Sequence, residues 1–269
     1  MEKIVVGTYE EDMKQFEVFC YCLNKNWTGN KHIAVFVGSY NGKPGNTNKV
    51  LNIVEQYLLD WNYTVIDGYQ PNALNEHNKH NGYAEQNINK IINSFGTPTA
   101  IVFDSKDFVL RPLGYEDFII DNKLALNYFN TRQTHYDLYP NSRQIADNLD
   151  IPTTLNLTPW IWDTVILKEM WDKHRDGFYT NDYTEWDSYL TYAYGKIDFP
   201  PFEERVIIAG GWTHQTYDGM VEQAKSIKEH AHKKIWKHSR KLEDSRTVEV
   251  TCNVLEYFDI PKSIQTILL

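Results

Sequence analysis

The sequence predicts an α/β protein. A mostly parallel sheet flanked by helices occupies residues 1–112, and an α+β half follows over residues 113–269, both within one continuous domain. Two observations carry this. Short segments rich in apolar residues, at 3–7, 33–38, 63–66 and 100–103, read as strands, and the last, a continuous apolar run bounded by turn residues, reads as one buried on both faces. Stretches with apolar residues at helical spacing separate these runs, and such alternation implies parallel strands joined by right-handed crossovers.

The elements follow in order. After the first strand come Thr8, Tyr9 and a helix over about residues 11–27, where Phe16, Phe19, Cys20 and Leu23 recur at helical spacing. The second strand leads through a Gly-, Asn- and Pro-rich loop (39–48) into a helix reaching about residue 61, with Val50, Leu51, Val54, Tyr57 and Leu58 inward. The third strand ends at Asp67-Gly68. A polar loop (69–82) precedes a helix over 83–93, on which Gln86 and Lys90 share a face and Tyr83 lies a turn earlier. A polar stripe of this kind either binds a ligand or is solvated.

The next strand organises the chain. Ala100-Ile-Val-Phe stops at Asp104-Ser105-Lys106-Asp107, and apolar character returns at Phe108, Val109 and Leu110. The carboxyl end of such a strand is where an open α/β sheet places its ligand. The two carboxylates suit a hard divalent cation and the lysine suits a phosphate, which together point to a metal–diphosphate substrate. The alternative is a loop that turns back to solvent.

The second half is less regular. It contains a short strand at 118–120, an aperiodic stretch at 125–139, a helix over 142–148 and an extended segment at 153–157. Thr158-Pro159 should open a helix running over 161–174, with Pro159 near its first turn. A helix within 181–194 has Thr184 as its N-cap. Glu185 and Asp187 fall in its first turn, where the helix dipole favours carboxylates in any case. A strand over 205–209 and helices over 217–230 and 245–258 complete the chain.

Composition narrows the function. A net charge of -9 argues against non-specific nucleic-acid binding by the whole surface, though not against one basic groove. Lys225, Lys228, His230, His232, Lys233, Lys234, Lys237, His238, Arg240 and Lys241 form such a stretch against Glu229 alone, which suggests a phosphate-bearing partner; a solvated helix face is the alternative. The 18 Tyr and 8 Trp exceed what a core needs, and aromatics line sugar and base sites as well as cores. Cys20, Cys22 and Cys252 have no framework spacing and point to a reducing compartment; Cys20 and Cys22 are packing residues. No apolar segment is long enough to span a membrane, and the chain starts directly with a strand, so a cytoplasmic location is expected. The absence of Gly-x-Gly-x-x-Gly and of a Walker lysine loop excludes dinucleotide and ATP sites of those kinds.

Gly82-Tyr83-x-x-Gln86-x-x-x-Lys90, Phe103-Asp104-Ser105-Lys106-Asp107-Phe108-x-x-Arg111-Pro112, Thr158-Pro159, Glu185-Trp186-x-x-Tyr189 and His238-Ser239-Arg240 follow one another along the chain. Together these patches resemble a group of GT-A-like glycosyltransferases found in surface-polysaccharide loci and in bacteriophages. The chain departs from the group's Asp-x-Asp metal motif by having Lys106 in the third position. Either Asp107 substitutes, or Lys106 itself neutralises the diphosphate. The resemblance implies a hexosyl- or pentosyltransferase that moves a sugar from a nucleotide diphosphate sugar, a UDP-sugar, to an acceptor hydroxyl. Thr8 and Tyr9 would border the nucleotide, Asp67 would face the base or ribose, and Tyr83, Gln86 and Lys90 would flank the donor. Ser105 and Lys106 would lie by the diphosphate, with His238 and Arg240 closing the clamp. Asp104 would hold Mn²⁺ or Mg²⁺, with Asp107 and His238 as further ligands, or would accept ribose and sugar hydroxyls. Glu185 and Asp187 are the candidate bases for the acceptor, which the second half would bind.

The phage branch implies a 5-hydroxymethylated pyrimidine in double-stranded DNA as acceptor. The stretch 225–241 would guide the duplex and the aromatics would hold a flipped base, in the host cytoplasm. A surface-polysaccharide or glycolipid acceptor is the rival. Two readings come from other classes: a non-catalytic nucleotide-sugar-binding module, and a nucleotidyltransferase or phosphohydrolase using Asp104 and Asp107.

Overall fold

A computed structural model describes residues 2–39, 45–68, 81–125, 128–129, 145, 154–155, 158–180, 182–194, 196–197, 208–210, 216–238 and 245–269. The chain opens with β1 (Glu2–Thr8), a 3-10 turn (Glu10–Asp12) and α1 (Met13–Asn26), and continues with β2 (His32–Val37), α2 (Thr47–Tyr57), β3 (Asn62–Asp67), α3 (Asn81–Ser94) and β4 (Thr99–Asp104). Strands β4, β1, β2 and β3 lie parallel in that order. Ile4, Val5 and Val6 of β1 and Ala100 to Phe103 of β4 are buried on both faces, as continuous apolar runs require of central strands. At the edge, β3 alternates between exposed and half-buried residues.

Packing explains the local choices. Phe16, Phe19 and Leu23 of α1 face the sheet, with Phe19 and Trp27 both against Phe103. Gly7 is required in β1 because a Cβ there would lie 2.2 Å from the Phe36 ring. Cys20 and Cys22 are packing residues, and burial raises both thiols above their ordinary pKa. The helix α2 stops at Tyr57, short of the expected residue 61, where the chain turns to bring Trp61 back into the core.

After β4 the chain reverses into β5 (Asp107–Val109). A 3-10 turn (Tyr115–Phe118) leads to the two-residue strands β6 (Ile119–Ile120), β7 (Lys123–Leu124), β8 (Tyr128–Phe129) and β9 (Thr154–Leu155). Next come β10 (Trp160–Asp163), α4 (Thr164–Tyr179), α5 (Glu185–Ala193), β11 (Ile208–Gly210), α6 (Tyr217–Glu229), β12 (Ile235–Lys237), α7 (Ser245–Tyr257) and α8 (Lys262–Gln265). The helix expected over 142–148 lies outside the described residues except Ile145.

Residues 160–163 correct the expected helix start. Trp160, Ile161 and Trp162 form an antiparallel strand beside β4, with Ile161 opposite Ile101. Three consecutive buried apolar residues leave no polar face for a surface helix. The helix begins at Thr164, where the Asp163 carboxylate accepts from the backbone N–H groups of Val165 and Ile166. Residues from the second half thus extend the first sheet. Conversely β5 joins a second sheet, in the order β11-β12-β5. No described helix is long and apolar enough to cross a membrane.

Candidate active site

Register places one set of strand ends at a common rim. Gly7 of β1 pairs with Asp104, Thr8 with Val37, and Val37 with Asp67. Gly38 N–H donates to Thr8 O and Gly68 N–H to Val37 O, so the ladders run one residue past the strands. The turn from β4 to β5 closes when Asp104 N–H donates to Asp107 Oδ2 at 2.8 Å. Lys237 of β12 stands directly across from Asp107. Its ammonium donates to Asp104 Oδ2 at 2.7 Å, Asp107 Oδ1 at 2.9 Å and Thr158 Oγ1 at 2.7 Å. From the other side, Lys90 of α3 reaches Asp104 Oδ1 at 3.3 Å and Glu185 Oε1 at 3.1 Å, with its Nζ 4.6 Å from the centroid of the Trp160 ring.

Two lysines and three carboxylates therefore share one cluster. The Asp107 and Glu185 side chains are 0% exposed, and only Asp104, at 21%, opens appreciably to solvent. Burial pushes the Asp104 carboxyl up, but Lys237, Lys90 and Lys106 outweigh it and hold the group well below the usual range. Burial raises Asp107 and Glu185, against the pull of Lys237 and Lys90 respectively. Burial lowers Lys237, yet Asp104 and Asp107 carry it up to about 12. The rim thus presents an anionic Asp104 backed by two charged lysines.

The other expected residues lie around this cluster. Thr8 is fully buried, and its Oγ1 has no hydrogen-bond partner among the described residues. Tyr9 is buried over Gly38, where a Cβ would lie 2.2 Å from its ring. Asp67 is exposed at the end of β3 and accepts from Thr47 Oγ1. Gln86 is half-buried, one turn before Lys90 on α3; Tyr83 lies in the first turn of α3, its side chain outside the described residues. Ser105 is buried and donates to Asp12 Oδ2 at 3.4 Å. Asp187 is buried beside Thr184 Oγ1, at 3.5 Å. Arg240 lies outside the described residues.

His238 brings a neutral ring where positive charge was expected. Its Nδ1 lies 3.0 Å from Thr251 Oγ1, and the ring stacks on Phe108 at 6.1 Å. Burial, with the Lys106 charge adding to it, lowers its pKa to about 4. Among the described residues no group of three His, Cys, Asp or Glu side chains is placed to hold a metal. His230 and His232 pack edge to face, and His230 Nδ1 lies 2.9 Å from Ser226 O.

Comparison with known proteins fixes the family. Residues 8–249 match DUF6492, described as a family of unknown function. The chain belongs to this family. No sequence match emerges among curated proteins. Among solved structures, this DUF6492 chain is similar to the apo structure of the bifunctional glycosyltransferase WbbM, with a TM-score of 0.51 at 12% identity over 97% of this chain. It spans only about half of WbbM, 51%. It is also similar to the galactosyltransferase LgtC solved with donor and acceptor sugar analogs, with a TM-score of 0.50 at 12% identity over 98% of this chain and 99% of that one. At such identity the likeness is one of fold, and the fold of this DUF6492 chain is GT-A-like.

The described part of the basic stretch, 225–238, does not form one helix face, because β12 interrupts it and turns Lys237 inward. Lys225 pairs with Glu222, Lys233 donates to Ser226 Oγ, and Lys234 pairs with Asp117. Lys237, counted as surface charge, is the cation of the cluster. The only hint in the sequence was its position after Ile235-Trp236, a short buried-strand pattern. Arg111 is structural: it donates to the carbonyls of Ile227, His230 and Lys233 and lies over the Phe258 ring, closing the end of α6.

Proposed function

We propose that this chain transfers a sugar from a nucleotide diphosphate sugar, with a UDP-sugar as the first donor, to an acceptor hydroxyl. The observation that carries this is an anionic, partly open Asp104 at the rim of a GT-A-like sheet, gripped by two lysines. Thr8 Oγ1, buried at the neighbouring strand end and without a partner among the described residues, supports it. In the transfer, the acceptor oxygen bonds to the anomeric carbon, the bond from that carbon to the diphosphate oxygen breaks, and the nucleoside diphosphate leaves. Asp104 accepts hydrogen bonds from ribose or sugar hydroxyls. The charge that develops on the leaving diphosphate needs a cation, and Lys106, half-buried in the β4–β5 turn, is the nearest one in sequence. Glu185 is the candidate base for an inverting reaction. It lies across Lys90 from Asp104, and burial raises its proton affinity in the direction a general base requires. Its partner Lys90 then links the donor side of the cluster to the acceptor side.

Two acceptor classes compete, a hydroxymethylated pyrimidine in DNA and a saccharide or lipid-linked saccharide. The internal bonds made by Lys225, Lys233, Lys234 and Lys237 reduce the charge left to track a duplex, and the net charge of -9 acts in the same direction. We therefore place the saccharide class first. The test incubates the protein with UDP- and GDP-sugars and either hydroxymethylated DNA, unmodified DNA or saccharide acceptors, and measures free nucleoside diphosphate. Acceptor-stimulated release supports transfer and identifies the class. Nucleoside monophosphate or sugar phosphate as product refutes transfer and favours phosphohydrolase or nucleotidyltransfer chemistry. No turnover with any donor leaves only the binding module.

A further inference from the structure

We infer that the cation of this site is built into the chain: the Lys237 ammonium stands between Asp104 and Asp107 in place of a divalent ion, so that donor binding needs no metal. The inference rests on the nucleotide-sugar reading only for the donor, not for the cation.

Asp104 Oδ2 and Asp107 Oδ1 both accept from Lys237, Asp104 Oδ1 pairs with Lys90, and Asp107 Oδ2 accepts from Asp104 N–H. Each of the four oxygens thus already has a partner inside the protein. An ion bridging the two carboxylates would sit about 2.0–2.6 Å from the same two oxygens that hold Lys237 Nζ, so it would fall on the ammonium. Lys237 is not free to withdraw. Cross-strand register with Asp107 sets its backbone, β11 and β5 flank it on both sides, and its third proton goes to Thr158 Oγ1. An ammonium has three protons, and all three are used. The remaining expected ligand, His238, has its Nδ1 against Thr251 and its ring against Phe108. The described residues at this rim therefore do not fit a divalent ion. Lys237 does what such an ion would do for Asp104: it keeps the carboxylate charged and oriented at the rim.

Two measurements on the wild-type chain decide this. In the first, Mn²⁺ is titrated and free ion is read by electron paramagnetic resonance, with and without UDP, beside Asp104→Asn. Uptake by the wild type should not exceed that of the variant. In the second, calorimetry compares UDP and GDP binding in chelator and in Mn²⁺, and the affinities should agree. Saturable Mn²⁺ uptake that Asp104→Asn abolishes would overturn the inference, as would a loss of nucleotide affinity of about tenfold or more in chelator. If neither UDP nor GDP binds under any condition, the nucleotide-sugar reading falls, while the Mn²⁺ titration still decides what stands between the two carboxylates.

Discussion

Lys237→Met removes the ammonium and keeps the volume of its stem. Its consequence can be worked from Asp107, whose side chain is 0% exposed and whose only described cation is Lys237. Removing one partner of a buried ion pair costs about 3–5 kcal/mol. Asp107 can escape the unpaired state by taking up a proton. At pH 7 that means protonating a carboxyl roughly three units above its unfolded pKa of about 3.9, at about 1.4 kcal/mol per unit, or about 4 kcal/mol. The sign follows from linkage. In the variant the folded pKa of Asp107 lies above the unfolded one, so stability is highest below about pH 4 and falls as pH rises. At pH 5 the same proton costs only about 1.5 kcal/mol. Urea unfolding of wild type and variant at both pH values should therefore show a deficit that shrinks by about 2–3 kcal/mol on going from pH 7 to pH 5. Adding Asp107→Asn to Lys237→Met should recover much of the loss, since no buried charge is then left alone. A deficit under about 1 kcal/mol, the level of an exposed pair, or one that does not change with pH, would refute charge compensation by Lys237.

Three further outcomes follow from the same geometry. Asp104→Asn should cut acceptor-stimulated nucleotide release by about 100-fold or more while costing only about 1–2 kcal/mol in urea unfolding, because Lys90 keeps Glu185 and Lys237 keeps Asp107; wild-type turnover would remove Asp104 from the site. Glu185→Gln should lose transfer and keep donor binding by calorimetry, whereas a change confined to Tm would make Glu185 a structural partner of Lys90. His238 is buried with a pKa near 4, below its unfolded value, so protonation favours the unfolded chain and its contribution is lost as pH falls below about 6.5. The difference in stability between wild type and His238→Asn should therefore shift against the wild type by about 2 kcal/mol from pH 7 to pH 5, and a pH-independent difference would mean the imidazole is not held neutral.

The amino-acid sequence determined the sheet and where its ligand rim would be. Runs such as Ala100 to Phe103 can only be buried on both faces, and the abrupt polar turn at Asp104 marks where such a strand leaves the core. It also marked Glu185 and Lys90, as separate features on separate helices. What it did not contain was their meeting, which needs α3 and α5 packed against each other. The sequence predicts a helix start at 161–163 because a short apolar run carries no period of its own; pairing with β4 makes 160–163 a strand. Lys237 illustrates the division most clearly. In sequence it is one lysine of a basic stretch. In the fold, side chains alternate faces along β12, which is buried throughout, so the register against β5 decides whether this ammonium meets Asp107 or the apolar packing on the other face. Register is a property of two strands far apart in the chain, and only tertiary structure could supply it.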